Sequence, residues 1–340
     1  MPAHNSTSRK IAVVYHQLPE SMAVHQQDIL DYVDEISSPL IEAGYEPVPV
    51  PVTLDLSDML ARISTIEPLL VFNLVEAIHD LDCLLHLVPS VLEAFRIPFT
   101  GVGARGNFLT TDKLLAKDIM RLAGLPTPPW QRCDALSLSG PTALPLPAIV
   151  KPVATDASRD IDERSYCRTQ SDLAAKVASL APALRHNFFA EHFVHGREFN
   201  VSMMATSDGV RVLPAAEMTF VDYPPDKPTI VDFKAKWVVE SFEYAHTVRR
   251  FDFEESDLPL VDEIRRLSLR AWEVFGLQGY ARVDMRIDTQ GHPWILELNA
   301  NPCITADAGF IAAGERAGLS YAQMIVAIVE DAVRRDAVRQ

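Results

Sequence analysis

The apolar positions of the first hundred residues fall in short runs separated by amphipathic stretches. KIAVVYH, at residues 10–16, reads as a strand, and residues 23–43 read as a helix that Gly44 closes. EPVPVPV adds an extended segment and PLLVFNLV a buried strand; residues 81–95 read as a further helix, followed by IPFTG. Strands alternating with helices predict a parallel α/β unit. Downstream, TTDKLLAKDIMRLAG predicts a helix stopped by Gly124 and the Pro126, Pro128 and Pro129 cluster. SLSGPTALPLP reads as a surface connection, AIVKP as a short strand and residues 171–184 as a helix. NFFAEHFVHGREFNVSMMAT predicts two strands around His195-Gly196. A helix over 257–275, a hairpin over 280–299 and an amphipathic helix over 320–336 complete the pattern. No internal repeat or low-complexity tract interrupts it.

The hairpin carries the strongest chemical signal. In YARVDMRID, Ala281, Val283, Met285 and Ile287 share one face, and Arg282, Asp284 and Arg286 the other. In WILELNANP, Trp294, Leu296 and Leu298 alternate with Ile295, Glu297 and Asn299. Symmetric pairing about the turn at Gly291 sets Asp284 opposite Glu297 and Arg282 opposite Asn299. Favourable cross-strand pairs contribute only about 0.2–1 kcal/mol, and two facing carboxylates repel. A solvated sheet face is one reading of this pattern. A divalent cation between the acids is the other, because Asp, Glu and an Asn carbonyl are hard oxygen ligands suited to Mg²⁺. Arg282 beside them is suited to stabilising a developing oxyanion.

Composition narrows the class. The chain has 340 residues, 48% hydrophobic and 23% charged, which suggests a globular protein of two or three domains. A net charge of -15 argues against nucleic acid or an anionic membrane as partner. It does not forbid an anionic ligand in a local basic pocket. The N-terminus lacks the apolar stretch of a signal peptide, and no run approaches the length of a membrane span. Cys83, Cys133, Cys167 and Cys303 are scattered, with no CxxC pair, so a cytoplasmic enzyme or binding protein is expected.

ARVDMRID…GHPWILELNANP resembles the C-terminal metal-binding hairpin of the ATP-grasp superfamily, in its D-alanine–D-alanine ligase branch. VFNLVE and IPFTGVG…TTDKLLAK resemble the junction of that family's first two domains. LPAIVKP, EHFVHGRE and DFKAKW resemble its nucleotide-binding segments; only the first sixty or so residues match weakly. The resemblance implies an N-terminal Rossmann-like parallel α/β domain over 1–105. A central lobe over 106–186 and a C-terminal lobe with the metal site over 187–340 would be α+β and enclose ATP. It implies a carboxylate–amine ligase that joins small amino-acid-like substrates through an acyl phosphate. ATP, Mg²⁺ (or Mn²⁺) and a homodimer are implied with it.

Carried over by motif, the metal ligands are Asp284, Glu297 and Asn299. Lys113, Lys151 and Lys236 would face the nucleotide phosphates. Glu191 and Val194 would receive the adenine amino edge, and Glu198 would hold the ribose hydroxyls. Arg282 and the Cys303 backbone N–H would serve the oxyanion. Without the resemblance, the lysines read as solvated surface residues and Glu191 and Glu198 as ordinary strand-end acids.

Several segments depart from the ligase pattern. YHQLPESMAVHQQ replaces a glycine-rich loop, with Glu20 nearby. TDASRDID replaces a second glycine-rich loop, where Asp156 and Asp160 add negative charge near phosphate. Ala157 and Trp237 stand where the family has a serine–tyrosine pair that closes a lid. Ser158 offers a hydroxyl, and Arg159 a charge for the γ-phosphate. Cys303 stands where a glycine N–H completes the oxyanion hole, and Ala308 where a serine binds the second substrate's carboxylate. Glu76, in place of a histidine, reads either as a strand-end acid or as an anchor for an ammonium or guanidinium. Cys303 is not read as a nucleophile, since no Cys–His arrangement is visible. These departures predict a product other than D-alanyl-D-alanine. Two rivals stand beside this reading. One is an ATP-grasp kinase that releases a phosphorylated product; the other is a degenerate nucleotide-binding regulator, against which Asp284, Glu297 and Asn299 argue.

Overall fold

The computed structural model describes residues 8–18, 26–136, 143–155 and 158–339. Glu20, Asp156 and Ala157 lie outside them. The first unit is built on β1 (Lys10–His16), α1 (Gln26–Glu42), β2 (Glu46–Val52), α2 (Leu56–Ile66), β3 (Leu70–Asn73) and α3 (Leu87–Ala94). β1 lies between β2 and β3, parallel to both. Its residues alternate between two cores: Ile11 and Val13 meet Val33, Ile36 and Leu40 of α1, while Ala12 and Val14 meet α2 and α3. Burial on both faces is why KIAVVYH is apolar without interruption. The helix expected over 81–95 is a 3-10 turn, Asp82–Leu84, followed by α3. The sequence reading missed α2, although Asp55 is a capping signal: its side chain accepts from Ser57 N and Asp58 N.

The single helix expected over 110–124 is two helices, α4 (Ala104–Thr111) and α5 (Lys113–Leu122). Asp112 leaves the helical region (ψ 100) and its side chain accepts from Leu114 N and Leu115 N. The new helix therefore begins at Lys113.

The second unit holds β4 (Trp130–Arg132), β5 (Ala148–Pro152), β6 (Tyr166–Cys167), α6 (Gln170–Ser179) and β7 (Phe188–His192). Its antiparallel sheet has the order β4-β7-β5-β6. Because β7 pairs with both β4 and β5, it belongs to this sheet. The boundary expected at 187 falls one strand early; the chain crosses between sheets at 193–195.

The third unit follows as β8 (Gly196–Thr206), β9 (Gly209–Val212), β10 (Ala216–Phe220), α7 (Phe233–Trp237), α8 (Phe242–His246) and β11 (Thr247–Arg250). It continues through α9 (Leu258–Phe275), β12 (Tyr280–Asp288), β13 (Pro293–Asn299), α10 (Gly309–Arg316) and α11 (Tyr321–Arg339). Its sheet runs β11-β10-β8-β12-β13, with β9 also on β8. α9 and the α4–α5 pair share one core with this sheet. α10 and α11 instead bury Phe310, Ile311, Met324 and Ile328 against β1 and α1. Among the described residues no helix is long and apolar enough to cross a membrane.

The expected hairpin register holds at its open end, with Arg282 opposite Asn299 and Asp284 opposite Glu297. It then shifts: Met285 pairs with Ile295, and Leu296 is skipped. This bulge overturns the simple alternation of WILELNANP. Ile295 and Leu298 enter the core, whereas Leu296 lines the same cavity as Glu297 and Asn299.

Gly279, just before β12, has φ +69, and a Cβ there would lie 2.7 Å from the Gly101 backbone. Positive φ and a close backbone approach both require glycine. Gly279→Ala is expected to destabilise the protein by about 2–4 kcal/mol in urea unfolding. An unchanged midpoint would show that the two backbones separate at little cost.

Candidate active site

The two antiparallel sheets border a cavity of about 540 Å³. It is lined by the residues expected to serve the metal, the nucleotide, the oxyanion and the substrates, but not by Arg159. Glu76 comes from the first unit; Lys113, Lys151, Ser158, Glu191 and Val194 from α5 and the second. The third supplies Glu198, Lys236, Trp237, Arg282, Asp284, Glu297, Asn299, Cys303 and Ala308. Residues more than 230 positions apart thus share one space.

On the floor, Arg282 donates two parallel bonds to Asp284, at 2.7 and 2.8 Å. Asn200, opposite Asp284 on β8, donates a third at 2.8 Å. Lys113 Nζ lies 3.5 Å from Glu297 and donates to Thr155 O at 2.9 Å. Burial pushes the Glu297 carboxyl up. The charges of Lys113, Lys236, Lys151 and Arg282 outweigh that and bring it down to about 2. Lys236 is itself lowered, by burial first and then by Arg282.

Asn299 Oδ1 accepts from Asn301 N at 2.9 Å, which fixes the orientation of its carbonyl. Two carboxylates and an oriented amide oxygen at one strand pair are a donor set that fits a hard divalent cation. Among the described residues no cluster of three or more His, Cys, Asp or Glu side chains forms a complete cage. A Mg²⁺ ion would complete its shell with phosphate oxygens and water, as that ion commonly does.

Deeper in the cleft, Glu191 is 1% exposed and its carboxylate lies between two lysines. Lys117 approaches at 2.7 Å and Lys151 forms a short ion pair with the other oxygen. Burial pushes Glu191 up, and the two lysines more than reverse it. Lys117 also donates to Thr127 Oγ1 at 2.8 Å. The sequence reading missed Lys117. Its spacing of four from Lys113 places both on one helical face, and that was the available signal. Arg286 and Asn200 were missed as well, because their partners come from the β8–β12 register. Arg286 lies 3.5 Å from Glu198 and 4.5 Å above the Phe193 ring, and donates to Thr229 O. Burial raises the Glu198 carboxyl, with Arg286 opposing.

Two expected donors point elsewhere. The Ser158 hydroxyl donates to Val231 O at 2.9 Å, so its hydrogen is not directed at a phosphate. Arg159 pairs with Asp80 and Asp82 of the first unit, so its charge is not offered to a γ-phosphate. Trp237, also on the cavity lining, is 52% exposed. Ala308 is the N-cap of α10 and makes no side-chain capping bond. Tyr32 Oη accepts from Ile304 N at 3.3 Å, bringing α1 to this end of the cavity.

Burial, then the Glu76 charge, pushes the Cys303 thiol up to about 11. The group is therefore a poor nucleophile near neutrality. At pH 8, iodoacetamide is expected to label the exposed Cys83 first and Cys303 about a hundredfold more slowly. Comparable rates, read by peptide mass spectrometry, would overturn that assignment.

Comparison with known proteins places this geometry in a family. Residues 119–330 match the family model described as D-ala D-ala ligase C-terminus. A D-alanine–D-alanine ligase of Bordetella avium is 29% identical over 249 residues, covering 72% of this chain and 73% of that protein. An uncharacterised protein of Sinorhizobium fredii is 27% identical over 307 residues, covering 89% and 87%. The crystal structure of a D-alanine–D-alanine ligase from Bacillus anthracis complexed with ATP superposes with a TM-score of 0.75 at 19% identity. It covers 97% of this chain and 99% of that one, and demonstrates the shared fold. The chain belongs to the D-alanine–D-alanine ligase family and has the ATP-grasp fold.

Proposed function

We propose that this protein is an ATP-dependent ligase that joins the carboxylate of one amino-acid-like substrate to the amine of another. The observation that carries this reading is the convergence of Lys113, Lys151, Lys236 and Arg282 on the Asp284–Glu297 pair in one cavity. Local positive charge in a chain of net charge -15 suits polyphosphate.

In this reading the lysines bind and orient the triphosphate of ATP. Both Glu191 oxygens are taken by Lys117 and Lys151, so the adenine contact expected of it is left to Val194, with Glu198 at the ribose. Asp284, Glu297 and Asn299 would hold Mg²⁺, which neutralises phosphate charge when bound. The first substrate's carboxylate oxygen attacks the γ-phosphorus, giving an acyl phosphate and ADP. The second substrate's amine attacks the acyl carbon. Arg282 and the Cys303 N–H would stabilise the resulting oxyanion; collapse expels phosphate and leaves the amide. Positioning and charge stabilisation supply most of the catalysis. No strong general base is required. Cys303 and Ala308 line the same cavity as the paired acids, and family membership favours ligation over a reaction that stops at phosphorylation.

The substrates we infer are not two D-alanines. Ala308 brings no hydroxyl to the acceptor end, Trp237 is larger than the tyrosine of the family pattern, and Glu76 suits a cationic group on the first substrate. Each absent hydrogen bond to a charged group is worth roughly 1.5–3 kcal/mol.

Glu297→Gln is expected to lower ADP formation in Mg²⁺ on the order of a hundredfold or more while the protein stays folded. Near-wild-type turnover by a folded variant would falsify the metal assignment. Steady-state ADP release with a panel of amino acids and amines, followed by mass spectrometry of the product, tests the substrate reading. The panel should contain a pair used on the order of a hundredfold better than D-alanine. D-alanine as both best donor and best acceptor would sink it.

A further inference from the structure

The pairing of Arg159 with Asp80 and Asp82 crosses from the second unit to the first, over more than seventy residues of sequence. Nothing in the proposed chemistry uses it. Arg159 NH1 donates to Asp80 Oδ1 at 2.8 Å, and NH2 forms a short bond to Asp82, whose side chain is 4% exposed. A guanidinium holding two carboxylates is a strong, directional contact.

Both loops joined by this contact have unusual backbones. His79 and Asp80 have φ of 54 and 61, and Ser158 and Asp160 have φ of 57 and 64. These are four of the seven non-glycine residues with positive φ among those described. Asp and His tolerate that region better than most residues, and serine less well. Such conformations persist where surrounding contacts over-determine them, and they cluster at clamps and functional sites. The Asp80 turn is closed by reciprocal bonds between Ile78 and Leu81.

The same contact joins the segments that carry cavity residues. Glu76 precedes Asp80 by four positions, and Leu85 follows Asp82 by three; both line the cavity. Ser158, adjacent to Arg159, bonds to Val231 O, from which the chain enters α7 with Lys236 and Trp237. We infer that Arg159 is a positioning residue: with Asp80 and Asp82 it latches the loop at 158–161 to the first unit and holds all three units closed over the cavity. The inference rests on the ligase reading for its consequence. A closed cavity retains nucleotide and keeps water from the acyl phosphate, whose hydrolysis would release ADP and phosphate without an amide.

The test uses the full chain carrying Arg159→Met or Asp82→Asn, with Arg159→Lys as a milder variant that keeps the charge. Two readouts are needed: the dissociation rate of a fluorescent ADP analogue with Mg²⁺, and the ratio of ADP to amide for the best pair in the panel. In Arg159→Met and Asp82→Asn the analogue should leave about tenfold faster or more, and the double variant should add little. The ratio should rise from about one to two or more, because water competes with the amine. Arg159→Lys should lie between wild type and Arg159→Met. A purely structural role would lower turnover and leave the ratio at one. An unchanged dissociation rate and ratio in a folded variant would overturn the latch. Faster dissociation in the variants, with no amide from the wild type on any pair, would leave the latch and remove the ligase reading. A wild type that binds no nucleotide would overturn both.

Discussion

Two carboxylates face one another across adjacent strands in one cavity, and the arrangement around them follows from that repulsion. Asp284 and Glu297 are opposed in register, and Asp284 is largely buried. Like charges a few ångströms apart repel by about 4 kcal/mol even at a protein-surface dielectric. Arg282 from β12, Lys113 from α5, Lys151 from β5 and Lys236 from α7 bring the compensating charge. Those cations come from four elements separated in sequence, so the acids are tolerable only when the whole cleft is assembled. Around this pair the four cations outnumber the two acids, which in the proposed reading suits a polyanion there.

The cleft keeps its shape because its walls are anchored from outside. α4 and α5 share a core with the third unit's sheet, which fixes Lys113 and Lys117 relative to β12 and β13. α10 and α11 cross to the first unit and complete the core on one face of β1. Asn301 adds a polar tie: it accepts from the Tyr280 hydroxyl and donates to Val75 O, next to Glu76. The segment that leads from β13 to Cys303 and α10 is therefore held to the first unit by apolar and polar contacts together.

The two ends of the cavity answer to different constraints. In the proposed reading triphosphate recognition depends on charge, which two groups supply: Lys113 beside Glu297, and Lys117 with Lys151 on Glu191. Recognition of the joined groups depends on shape and on individual hydrogen bonds, where a single side chain changes selectivity. Ala308, Trp237 and Glu76, which differ from the family pattern, all line the cavity. The loop at 158–160 differs too, and its side chains are engaged with Val231, Asp80 and Asp82.

Much of this was legible in the chain itself. Local patterning identified the strands at 10–16 and 148–152 and helices expected over 257–275 and 320–336, observed at Leu258–Phe275 and Tyr321–Arg339, because apolar period and turn residues are local properties. The pairing of Asp284 with Glu297 followed from counting outward from the turn at Gly291. What the sequence could not disclose was long-range. The bulge at Leu296 depends on how β13 packs, and it turns that leucine from the core to the cavity. Asp112 divides one apparent helix into two because its side chain caps the second, and that sets where Lys113 points. Lys117 gains its role only when β7 brings Glu191 beside it, and Arg159 only when the first unit brings Asp80 and Asp82. Residue types and their local spacing determined which chemistry the chain can perform. Which charges neutralise which was decided by the tertiary structure, because electrostatic partners are chosen by distance in space rather than by separation along the chain.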